Sequence, residues 1–73
     1  MRKEPIKLFD SVALLKDLRE HELVFGQVGT VVEILKKDVF EVEFANKKGE
    51  TIAEIALKAE DLMLLPDEKE ATS

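Results

Sequence analysis

The chain has 73 residues, 37% of them charged, with sixteen acidic against eleven basic side chains and a formal net charge of −5. That length supports one small domain, which buries only ~60% of the surface of its unfolded chain. The lack of cysteine excludes a disulfide framework and a thiolate metal site. No apolar run approaches a signal peptide or the ~20 residues of a membrane span, and the acidic balance weighs against binding a phosphate backbone. A soluble cytoplasmic protein is expected, held together by packing or by a partner chain.

Residues 1–6 are polar and aperiodic and are expected to be flexible, as is the acidic tail at 66–73, which leaves 7–65 as the folded domain. The first strand is expected in the apolar run at 12–15, with Val12 and Leu14 facing inward, although three consecutive residues there could be buried. A long charged connection at 16–25 follows. Its Leu18, Leu23 and Phe25 are expected to plug one end of the fold, with a helical turn within 18–23.

Gly26-Gln27-Val28-Gly29-Thr30 is a two-glycine turn entering the β-branched strand at 28–35, whose Val28, Val32 and Ile34 are assigned to the core. Lys36-Lys37-Asp38 is a tight connection to residues 39–44. There Phe40, Val42 and Phe44 alternate with Glu41 and Glu43, a period of two with one charged face that means a half-buried antiparallel strand. Asn46-Lys47-Lys48-Gly49 is the next turn, with Gly49 suited to positive φ. It returns into residues 51–57, with Ala53, Ile55 and Leu57 inward. A helical turn at 58–62 precedes a closing strand in which Leu62 and Leu64 face the core. No window keeps a helical apolar stripe over the ~11 residues of an average helix, so the expectation is an all-β, five-stranded antiparallel barrel.

Five short strands, a long first loop and a helical turn before the last strand resemble an SH3-like barrel. Phe9-Asp10-Ser11-Val12-Ala13-Leu14-Leu15-Lys16-Asp17-Leu18, with the Gly26 to Glu33 stretch, Phe40-Glu41-Val42-Glu43-Phe44 and Gly49, resembles a family of short bacterial proteins of unknown function over about residues 7–65. Where that family commonly carries a proline after Asp-Leu, this chain has Arg19. A second resemblance, to the KOW motif of ribosomal and transcription-elongation proteins, rests on Gly26, Gly29, Val31 and Phe40-Glu41-Val42-Glu43. That resemblance implies RNA or protein binding through basic loops. This chain departs from it by carrying Asp17, Glu20 and Glu22 beside Lys16 and Arg19.

Chemistry is limited by what the chain lacks. One histidine, no cysteine and two serines cannot supply a nucleophile, a base and a metal set. Ser11 after Asp10 reads as turn chemistry, and His21 between Glu20 and Glu22 as an exposed loop histidine. Glu41/Glu43 and Glu60/Asp61 read as solvated carboxylates, the former also discouraging edge-to-edge pairing. Gly26 and Gly29 precede a strand, so they do not form a phosphate cradle, which needs a following helix. No cofactor and no small-molecule substrate is indicated. Of the four phenylalanines, at most Phe9 and Phe25 are free for contacts, too few for an aromatic cage or a base-stacking platform. By strand parity Leu35, Val39, Ile52 and Met63 face solvent and form the candidate interaction surface if they merge into one patch.

The function these readings support is a non-catalytic protein-interaction module, an accessory or antitoxin-like subunit or a homodimer. The alternative is a KOW-like nucleic-acid binding domain, which expects Lys7, Lys16, Arg19, Lys36, Lys37, Lys47 and Lys48 to share one face.

Overall fold

The computed structural model describes residues 5–66; the flexibility expected at 1–4 and 67–73 lies outside the described residues. Five antiparallel strands form one sheet in the order β4-β3-β2-β1-β5: β1 (Ser11–Leu14), β2 (Val28–Lys36), β3 (Val39–Ala45), β4 (Thr51–Lys58) and β5 (Leu62–Leu64). The only helical pieces among the described residues are two 3-10 turns, Arg19–His21 in the first loop and Ala59–Asp61 before β5. The all-β reading and the helical turn before the last strand agree with the sequence. The expected barrel is present only as an open sheet: among the described residues β5 is three residues long and pairs with β1 alone, leaving β4 and β5 as the two edges.

The core cluster lies on one side of the sheet, and on the other side Ala13 of β1 is also buried. A single rung crosses all five strands, Ala53 to Phe44 to Gly29 to Val12 to Leu64, and the next rungs add Val31 with Val42 and Leu14 with Leu62. Leu57 of β4 and Leu62 of β5 belong to the same cluster, so the two ends of the sheet curl toward each other over it. Fully burying a side chain such as Phe44 or Leu14 stabilises by ~1.5–3 kcal/mol, and such burial is the main support available to a chain of this size. Among the described residues no polar or charged side chain is buried.

Val12, Leu14, Phe40, Val42, Phe44, Leu57 and Leu62 are buried as assigned, while Ala53, Ile55 and Leu64 pack partly buried against them. The second strand differs. Val28 is 52% exposed and Ile34 50% exposed, and Val31 is the buried residue in their place. The register explains this. Val28 pairs with Ala13 on the outer face, so Gly29 and Val31 point inward. The ladder then slips between Val31 and Glu33, leaving Val32 as an extra, half-buried residue. One extra residue inverts the parity beyond it, and Ile34 returns to the Phe40 rung only at the open end of the sheet.

The first loop also differs. Leu18 and Leu23 exchange backbone hydrogen bonds around the 3-10 turn, and Leu23 is the plug at 1% exposure with Leu18 partly buried beside the core. Phe25 is 65% exposed. Its N–H donates to the Asp17 carboxylate at 2.8 Å, which ties the two ends of the loop together.

The three turn glycines serve two purposes. Gly26 and Gly49 adopt φ of 89° and 86°, where side chains are strained. Gly29 has ordinary extended backbone and is needed for space: a Cβ there would sit 2.7 Å from Val42 Cγ1 and 2.8 Å from the Phe44 ring.

Candidate functional site

A concavity opens at the end formed by the β2–β3 turn, the 3-10 turn before β5, and the segment leading into β1. Its position follows from local bonds. Asp10 accepts the Lys7 N–H through its carboxylate at 2.8 Å, and the Asp10 N–H returns to the Lys7 carbonyl, which folds the N-terminal segment across one side. Ala59 N–H donates to the Asp38 carbonyl, fastening the end of β4 to the β2–β3 turn. Leu15 N–H donates to Asp61 and Leu65 N–H to Ser11, holding β5 as the opposite wall.

The groove has an apolar floor from Ile6, Leu15, Ile34, Val39, Met63 and Leu65. Its rim carries Lys7, Lys36, Lys37 and Lys58 against Asp10, Asp38 and Glu60, a cationic excess in a chain of net charge −5. Both Lys36 and Lys58 stand opposite Val39 in the strand ladders. Lys16 is engaged elsewhere, in an ion pair with Asp61 at 3.1 Å.

Of the four residues assigned to an interaction surface, Val39 and Met63 line this groove, and Leu35 and Ile52 do not. Leu35 and Ile52 are each the extra residue where a ladder slips, between Ile34 and Lys36 and between Phe44 and Ala45 on the partner strand. Their exposure is a product of bulges at opposite ends of the β2-β3-β4 meander. Met63 stands opposite Ala13, itself opposite Val28, giving a short apolar row on the outer face of β5, β1 and β2. Parity counting could not find the groove, because its floor draws on five separate segments.

The outer face of β2, β3 and β4 is acidic. Glu33 stands directly opposite Glu41, and Glu43 opposite Glu54, which is the unfavourable arrangement for like charges. The carboxyl of half-buried Glu41 is held above its ordinary value, first by partial desolvation, then by a hydrogen bond with Glu54 that requires a proton, and then by the charges of Glu54 and Glu33. Glu43 also accepts a hydrogen bond from the Thr51 hydroxyl. β3 is an interior strand, so Glu41 and Glu43 do not guard a sheet edge.

The remaining polar residues singled out in the sequence are scattered. Ser11 is exposed at the start of β1. His21 lies in the 3-10 turn with Nε2 3.7 Å from the Glu20 carboxylate, remote in sequence from every groove residue except Leu15. Among the described residues no three His, Cys, Asp or Glu side chains stand where they could jointly hold a metal ion, and no helix is long and apolar enough to cross a membrane. Among the described residues three non-glycine residues, Phe9, Glu22 and Asp38, take positive φ that the sequence does not signal, and Phe9 is the bulkiest of them. Phe9 takes φ of 71° while 70% exposed, unusual for a bulky side chain, with its N–H held by the Val31 carbonyl at 2.7 Å.

These features define a small all-β domain with one open sheet of five antiparallel strands and a lysine-rimmed apolar groove at its unclosed end. A family model described as "Domain of unknown function (DUF4926)" matches residues 8–64, and the chain belongs to that family. No curated protein and no solved structure was found to match it.

Proposed function

We propose that the chain is a non-catalytic protein-interaction module of SH3-like form, an accessory or antitoxin-like subunit of the cytoplasm, whose groove takes an extended segment of a partner protein bearing apolar and acidic side chains. The observation that carries this reading is the groove itself: apolar residues with four lysines and three carboxylates around them, a small cationic excess on a chain of net charge −5. Apolar residues of the segment gain burial on Ile34, Val39 and Met63, while its carboxylates meet Lys7, Lys36, Lys37 and Lys58 and set orientation and encounter rate. The strand order β4-β3-β2-β1-β5 and the 3-10 turn before β5 support the SH3-like description, which speaks to form and not to activity. A KOW-like nucleic-acid reading has less support, since Lys36-Lys37 and Lys47-Lys48 sit at opposite ends of β3 and do not share one surface.

The test is capture of partners by the tagged full chain in extracts of its own cells, with Val39→Asp and Lys37→Glu as groove variants. Loss of a captured protein in both variants, with unchanged circular dichroism, supports the reading. An empty capture, or one indifferent to both substitutions, overturns it.

A further inference from the structure

Among the described residues β4 pairs with β3 on one side and with no strand on the other. The direction of its free backbone groups follows from the register. Ala59 N–H donates to the Asp38 carbonyl at 2.9 Å, one step beyond the Val39 and Lys58 pair. Hydrogen-bonded and non-hydrogen-bonded pairs alternate along an antiparallel ladder, so Leu57, Ile55 and Ala53 direct their backbone groups to β3, whereas Lys58, Ala56 and Glu54 direct theirs to the open side. Among the described residues no backbone group outside the ladder bonds to these three. Such an edge is a template for another strand.

We propose that the edge pairs with β4 of a second copy, antiparallel about a twofold axis at Ala56. This register uses the free groups: Ala56 pairs with the partner's Ala56 and Glu54 with the partner's Lys58, each rung exchanging two backbone hydrogen bonds. It is also the register that the charges select. An axis at Glu54 sets that carboxylate against its own copy, and an axis at Lys58 sets two ammonium groups together, both unfavourable directly across a ladder. With the axis at Ala56 the smallest of the three side chains lies at the crossing point.

The match extends inward from the edge. On the outer face the acidic row of Glu43 and Glu54 continues into the partner's Lys58, Val39 and Lys36. On the inner face Val42 and half-buried Ile55 continue into the partner's Leu57 and Phe40. The bulge at Ile52 bends the strand away and ends the pairing. The surface shares Lys58 with the groove rim, but Glu54 and Ala56 lie outside the groove, so variants at these two positions test the pairing apart from the groove reading.

Sedimentation equilibrium on the full chain at low salt, from micromolar to millimolar concentration, tests the pairing. The unaltered chain is expected to dimerise. Glu54→Lys or Lys58→Glu alone sets like charges against each other twice and is expected to weaken the dimer by about tenfold or more. The double swap Glu54→Lys with Lys58→Glu restores the match and is expected to recover most of the loss. Glu54→Lys also relieves crowding in the acidic face, and circular dichroism of each variant separates loss of association from unfolding. Ala56→Pro removes only an N–H that faces away from β3 and is expected to stay folded but monomeric. A chain that remains monomeric throughout, or a double swap that associates no better than the single variants, overturns the proposal.

Discussion

Gly29→Ala isolates the closest packing in the protein. The glycine lies on the rung between Phe44 and Val12, and its backbone is of a kind any residue adopts, so the substitution adds no conformational strain. What it adds is one methyl group 2.7 Å from Val42 Cγ1 and 2.8 Å from Cδ1 and Cε1 of Phe44. Contacts that short force both side chains, which are fully buried, to move. Overpacking of this kind costs ~1–3 kcal/mol, offset by ~0.5–1 kcal/mol because alanine loses less backbone freedom than glycine on entering a strand. The difference spans about 0–2.5 kcal/mol, and contacts this short put it in the upper part, about 1–2 kcal/mol; in a domain of this size each kcal/mol lowers the melting temperature by roughly 4–8 °C. Gly29→Val should cost more and compromise folding itself.

Urea titration followed by far-ultraviolet circular dichroism is the suitable assay, since the chain has no tryptophan and no tyrosine. A Phe44→Leu background supplies the decisive control. If the clash is with the ring, the two substitutions together should be less destabilising than the sum of each alone by at least ~0.5 kcal/mol. Gly26→Ala, by contrast, meets open space but suffers at φ of 89°, and should show no coupling to position 44. A Gly29→Ala protein as stable as the parent, or strict additivity with Phe44→Leu, would refute the packing argument.

The acidic outer face makes stability depend on pH in a stated direction. Folded Glu41 keeps its proton to higher pH than the unfolded chain does, so between the two values the folded state binds more protons and stability falls as pH rises. Glu41→Gln should therefore raise the melting temperature at neutral pH, an advantage that disappears on acidification below the unfolded carboxyl value; equal melting at neutral pH contradicts this. Leu23→Ala should cost ~2–5 kcal/mol by opening the end of the core, whereas Phe25→Ala should stay within about 0.5 kcal/mol, and the reverse order in denaturant titrations would mean that the plug has been misassigned. Phe9→Gly relieves a left-handed conformation that costs an L-residue roughly 1–2 kcal/mol. It should leave stability equal or higher, and a clear loss would show that the exposed ring packs after all.

How much of the fold is legible in the sequence varies from strand to strand, for physical reasons. β3 announces its register because charged and apolar residues alternate without exception from Phe40 to Phe44, and exposure alternates with them. In β2 the β-branched residues occupy both faces, so composition identifies a strand but not its parity, and the two ladder slips that decide which residues face inward leave no residue-level mark. The first loop reads as apolar residues among charges. Only the Leu18 and Leu23 bridge and the Asp17 bond to Phe25 settle which of them turns in. The groove is the least legible part. Val39 and Met63 can be recognised as exposed apolar residues, but their sharing a concavity depends on how far the sheet curls and on where β5 stops.

β1 holds positions of very different sequence distance together. Val12 pairs with Gly29 on one side and with Leu64, near the far end of the described chain, on the other. The β2-β3-β4 meander closes through short turns, while β5 joins only by bringing the two ends of the domain into register, an ordering step with a larger loop-closure cost. β5 is also the shortest strand and is secured on one side only. It is therefore the part of the sheet expected to open first under native conditions, and amide exchange should be faster at Leu62 to Leu64 than in the middle of β3. Because β5 is a wall of the groove, the contact surface proposed above is expected to be the last to assemble and the first to open. A segment bound there would fasten the weakest seam of the fold.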